Sequence, residues 1–150
     1  MALDNVLLAV GPGDADRVDA LARATTNVAA PADATVTLAH VFTDDQYEET
    51  RQRLGVDQDA AVTPDDVARR HATVQDLADR LADAGVEHAV RGSVGLHGES
   101  IVSLTDDTDA DLVLVGGRQR SPTGKAVFGS TAQTVLLSSP CPVTFVRGDH

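Results

Sequence analysis

The chain has 150 residues, is 42% hydrophobic, and carries a formal net charge of −11 from 12 basic and 23 acidic side chains. That is about one domain with enough apolar content for a core, which excludes wholesale disorder, and the acid excess disfavours nucleic acid and anionic membrane as partners. No apolar run approaches the roughly 18 residues of a membrane span, the start lacks the basic-then-apolar order of a secretory signal, and a single cysteine, Cys141, excludes an internal disulfide, so one soluble cytoplasmic domain is expected.

Asn5–Val10 is a short continuous apolar run ended by Gly11-Pro12-Gly13, which reads as a buried strand and a turn. Asp14 and Asp16 open a helix at the positive end of its dipole, Val18, Leu21, Ala22, Thr25 and Val28 recur at helical spacing, and Pro31 closes the segment. Ala34–Val41 is rich in β-branched residues and reads as a second strand. From Thr43 to Asp59 the chain is polar, a mobile excursion with a short helix around Tyr47–Leu54. Thr63 is a cap, Pro64 fits the first helical position, and Asp65-Asp66 fill the first turn. Val67, His71, Val74, Leu77, Ala78 and Leu81 line one face of that helix, and Gly85 stops it. Val86–Val90 is a third strand, and Gly98-Glu99 starts a helix through Ile101 and Leu104. Ala110–Val115 is a fourth strand, a loop runs from Gly116 to Gly129, Ser130 caps a last helix, and Pro142–Val146 is a fifth strand.

Apolar strands alternating with amphipathic helices require an α/β fold with a parallel sheet covered on both faces. Ligands of such sheets sit outside the carboxyl ends of the strands, at the point where the strand order reverses. Gly11–Asp14, Val41–Thr43 and Gly116–Ser130 are the segments there.

Several familiar patterns fail on their spacing. A phosphate loop at Gly124-Lys125 would need glycine at Gln119 and Ser or Thr at Ala126. Asp107-x-Asp109-x-Asp111 has Leu112 where a calcium loop needs glycine and Arg118 where it needs glutamate, so it reads as a solvated acidic turn. Gly98-Glu99-Ser100 lacks the closing glycine of a nucleophile elbow, and Gly92, Gly95 and Gly98 have the wrong spacing for a dinucleotide fingerprint. His40, His71, His88, His97 and His150 show no metal-ligand spacing; His71 borders the core on its helix and His40 ends a strand. No catalytic or metal set emerges.

The informative segment is the loop from Gly116 to Ser130. Gly116 lets backbone approach a ligand, and Gly129-Ser130 places free N–H groups at a helix start, where anions bind. Arg118, Arg120 and Lys125 reverse the local sign in an otherwise acidic chain, which suits a polyphosphate; equally, these cations could offset neighbouring aspartates. The overall bias is stronger still: 19 Asp against 4 Glu, with Lys125 the only lysine. This composition resembles that of halophilic proteins in a salt-rich cytoplasm, where a Debye length near 3 Å relieves self-repulsion; the alternative is an acidic mesophilic protein.

The chain resembles the universal stress protein family. The family's loop pattern is Gly, two residues, Gly, nine residues, then Gly and Ser/Thr; here it reads Gly116, then Gln119, then nine residues to Gly129-Ser130. Val6–Val10, Ala110–Gly116 and Pro140-Cys141-Pro142-Val143 also resemble family segments, so the likeness covers nearly the whole chain. It implies a Rossmann-like five-stranded parallel sheet of order 3-2-1-4-5 in one domain, 1–150, acting as a homodimer. In ATP-binding members the loop holds phosphates and ribose, which carries over to Gly116, Arg118, Gln119, Gly129, Ser130 and Thr131. Val41 would meet adenine through its backbone, and Ala9, Val10 and Gly11 would close the pocket, with ATP taken as its Mg complex.

Gly11 stands where the family often has Asp, and Gln119 where it has glycine. These two positions carry the alternative, a dimeric interaction protein of the same fold without nucleotide; a slow ATP hydrolase is a third reading. Val143–Val146, at a sheet edge, is the expected dimer strand, pairing antiparallel with its copy about a two-fold axis, unless Pro142 and the tail shield it.

Overall fold

The structure, a computed structural model, describes residues 3–11, 14–53, 55, 62–117 and 130–147. Five strands, β1 (Asn5–Val10), β2 (Thr35–Phe42), β3 (His88–Val94), β4 (Leu112–Gly117) and β5 (Val143–Arg147), form one parallel sheet in the order β3-β2-β1-β4-β5. The described helices are α1 (Val18–Ala32), α2 (Asp44–Arg53), α3 (Pro64–Arg69), α4 (Ala72–Asp83), α5 (His97–Asp107) and α6 (Ser130–Ser138).

Strand alternation sends β1 into two cores. Val6, Leu8 and Val10 pack with Leu21 of α1 and Leu77 and Leu81 of α4. Leu7 and Ala9 pack on the other face with Ile101 and Leu104 of α5 and Val135 of α6. Both faces being covered is why β1 and β4 are apolar without interruption. No described helix is long and apolar enough to cross a membrane.

Local boundaries differ from the sequence reading where tertiary contacts intervene. Asp14–Arg17 forms a 3-10 turn before α1. Pro31 lies inside α1, which runs one residue further and is closed by Asp33 in the left-handed conformation at φ 54°. The helix expected to run unbroken from Pro64 divides at Arg70-His71, and His71 is extended there. The division lets α3 dock on β3 while α4 packs on α1, two directions one straight helix cannot serve. The third strand runs to Val94 rather than Val90. The fourth strand starts later, at Leu112, because the Asp111 carboxylate turns back to accept the Asp4 and Asn5 N–H groups. It also continues through Gly116 and Gly117, placing Gly116 on a strand rather than in a loop.

A net charge of −11 on 150 residues has a stability consequence. Self-repulsion falls as the Debye length shrinks from about 10 Å to about 3 Å between 0.1 and 1 M salt. The thermal midpoint is therefore expected to rise by several degrees between those KCl concentrations; a flat midpoint would contradict the screening argument.

Candidate functional site at the carboxyl ends of the strands

The strand order reverses between β1 and β4, so a crevice opens past their carboxyl ends. Ala9 and Val10 finish β1 and Gly11 follows it, with Ala9 opposite Val115 of β4. The Gly11 N–H donates to Asp14 Oδ2 at 2.6 Å, and the Asp14 N–H returns to the Gly11 carbonyl at 3.1 Å. Asp14 is only 3% exposed, and its other oxygen accepts Arg17 Nε at 2.6 Å. A Cβ added to Gly116 would lie 3.0 Å from Asp14 Oδ1, 3.1 Å from Leu21 Cδ2 and 3.2 Å from Arg17 Cδ. Glycine at this position lets β4 pack closely against Asp14, Arg17 and Leu21.

β1 stops opposite His40, so β2 overshoots it by Val41 and Phe42. Val41 is buried on the face shared with Ala9 and Ile101. Ser130 opens α6, and Thr131, half-buried, lies in its first turn. Ala9, Val10, Gly11, Val41, Gly116 and Thr131 thus all lie at the carboxyl ends of strands or at the start of α6. Arg118, Gln119 and Gly129 lie outside the described residues, as do Arg120 and Lys125.

A second polar cluster lies beside the end of β2. His40 follows the inward parity of Val36 and Leu38 and is 4% exposed. Its Nδ1–H donates to the Val10 carbonyl at 2.7 Å, its ring meets Phe42 edge-on, and the His71 ring lies 4.2 Å away, centre to centre. Burial, then the nearby His71, lowers the His40 pKa from 6.5 to about 4, against the opposing hydrogen bond to Val10. Burial likewise lowers His71, with Arg53 adding to the effect. A pocket of about 190 Å3 lies against both rings and is roofed by Gln46, Glu49, Thr50 and Arg53 of α2. Thr43 and Gln46 cap α2 reciprocally at 3.0 and 3.2 Å, and Gln46 Oε1 also accepts His97 Nε2 at 3.0 Å. No group of three His, Cys, Asp or Glu among the described residues could hold a metal ion.

Sequence reasoning missed Asp14 and Arg17 as site residues, having assigned Asp14 to the helix dipole. The available signal was an Asp three residues after Gly11, the spacing at which a carboxylate reaches back to the N–H that opens a helical turn. The His40–His71 contact carried no signal, because it joins β2 to a helix break that only packing reveals.

This architecture recurs in known proteins. A universal stress protein of Mycolicibacterium smegmatis (strain ATCC 700084 / mc(2)155) is 39% identical over 79 residues, a match spanning 52% of this chain and 61% of that protein. A universal stress protein solved in complex with cAMP superposes with a TM-score of 0.69 at 22% identity, over 99% of this chain and 100% of that one. The universal stress protein from Archaeoglobus fulgidus, solved with dAMP, gives 0.64 at 19% identity, over 98% and 100% of the two chains. The strand order and a match to the universal stress protein family over residues 2–147 coincide, and the chain belongs to that family.

Proposed function

We propose that this protein is a non-catalytic stress or regulatory module of the cytoplasm that binds an adenine nucleotide, ATP as its Mg complex, and acts as a homodimer. The observation that carries the reading is the strand reversal between β1 and β4, where Gly116 packs against Asp14 and Arg17 and α6 follows β4. Relatives of the same fold have been solved with cAMP and with dAMP, which supports adenine as the base. In this reading the Val41 backbone meets adenine and Ala9, Val10 and Gly11 close the pocket. Gly116, Arg118, Gln119, Gly129, Ser130 and Thr131 surround ribose and phosphates. Asp14 has both oxygens engaged, by Gly11 and Arg17, so it is not a free base for hydrolysis.

Among the described residues the edge strand β5 pairs only with β4, and Leu136 and Leu137 stand 40% and 79% exposed on the neighbouring α6. An edge strand beside exposed leucines supports pairing of β5 with its copy.

Titration calorimetry with Mg-ATP in molar KCl tests the nucleotide. Heat of binding is expected for the native chain, and Gly129→Leu is expected to abolish it while leaving thermal unfolding in place. No heat at millimolar ATP would overturn the reading. Light scattering in the same buffer is expected to give twice the 15.6 kDa chain mass.

A further inference from the structure

The side chain of Arg17 is only 16% exposed, yet of its five N–H donors just one, on Nε, has a partner among the described residues, the buried Asp14 carboxylate. Elsewhere in this chain an arginine with a single carboxylate partner sits well out in solvent, as Arg69 does with Asp66. A guanidinium drawn into a protein is unfavourable unless its charge is answered, and Asp14 answers it at Nε. Its two Nη groups lie beyond the Nε that Asp14 holds. The stem fixes their place: Arg17 Cδ lies against the position a Gly116 Cβ would fill, at the reversal between β1 and β4.

From this we infer that Arg17 is a phosphate-binding residue of the nucleotide site, contributed by the turn after β1, and that Asp14 is the residue that positions it. The inference rests on the nucleotide reading above and adds a specificity to it. Asp14 takes Nε, and the two Nη groups are donors of the kind that match phosphate oxygens. In a chain of net charge −11, a cation at that point also offsets repulsion of a polyphosphate. The Asp14 carboxylate closes the turn on the Gly11 N–H. The carboxylate at this end of β1 therefore serves the arginine and not the ligand. The ligand class is a nucleotide bearing phosphate, preferred over its nucleoside.

The test compares ATP with adenosine by calorimetry, at low and molar KCl, on the native chain and three variants. Arg17→Gln is expected to weaken ATP by about 10- to 100-fold, the loss of a charge-assisted hydrogen bond, while adenosine changes less than about twofold. Arg17→Lys keeps the charge without the fork and is expected to fall between. Because Arg17→Gln strands the Asp14 charge, the double variant Asp14→Asn/Arg17→Gln removes both charges and is expected to fold with the same selective loss for ATP. Undiminished ATP affinity in the double variant, or equal weakening of ATP and adenosine, would overturn the role of Arg17 while nucleotide binding stands. A native chain that binds neither ligand would overturn both.

Discussion

Gly92→Ala is expected to destabilise the protein by about 3 kcal/mol or more, at or beyond the upper end for overpacking. A Cβ at Gly92 would sit 2.5 Å from the Pro64 carbonyl carbon, and nearer still to its oxygen. Those atoms are backbone at the first turn of α3, so no rotamer change relieves the clash. The approach is tight because α3 is pinned there. Thr63 and Asp66 close a reciprocal cap at 3.2 Å each, and Asp65 Oδ1 accepts the Gly92 N–H at 2.6 Å. Displacing α3 would break that bond and uncover the edge of β3. Gly85→Ala is the comparison. Nothing lies within 4 Å of a Cβ there, and only its φ of +74° opposes a side chain, a cost of about 1–2 kcal/mol. Urea unfolding of the two variants should therefore separate their midpoints clearly, with Gly92→Ala the less stable. Equal midpoints would show that α3 is not held against β3.

Acidification is expected to remove roughly 3 kcal/mol of stability through His40 alone. The native pKa is about 4 and the ordinary value 6.5, and each unit corresponds to about 1.4 kcal/mol. The sign follows from which state binds the proton first. Below pH 6.5 the unfolded chain takes up a proton that the folded chain refuses until about pH 4, so stability falls throughout that interval and levels off beneath it. His71, also lowered by burial, adds in the same direction. The groups facing the pair are Arg53 and Glu49 of α2, and His97 at the start of α5. Arg53 opposes a charge on His71, and His97 opposes one on His40. His40→Gln keeps a donor for the Val10 carbonyl but cannot titrate. Its unfolding free energy is expected to decline less between pH 6.5 and 4 than that of the native chain. The many aspartates protonate in both proteins and cancel from the difference. Parallel pH profiles would refute the assignment.

The sequence alone determined the layered α/β plan, since apolar runs such as Val6–Val10 and Leu112–Val115 fit only strands buried on both faces. It also located the carboxyl-end segments, because breakers such as Gly11 follow strands by local stereochemistry, and the Gly116–Ser130 spacing identified the family. What it could not reach depended on contacts between distant segments. The break at His71 arises because α3 and α4 answer to β3 and α1 separately. The extension of β4 through Gly116 and Gly117 depends on pairing with Val146 and Arg147, some thirty residues later. Local periodicity reports which face of an element is apolar, but not which neighbour will occupy it. Hence the burial of His40 against His71, and the enclosure of Arg17 by Asp14 and Gly116, were decided only when the chain closed on itself and set the local dielectric around those charges.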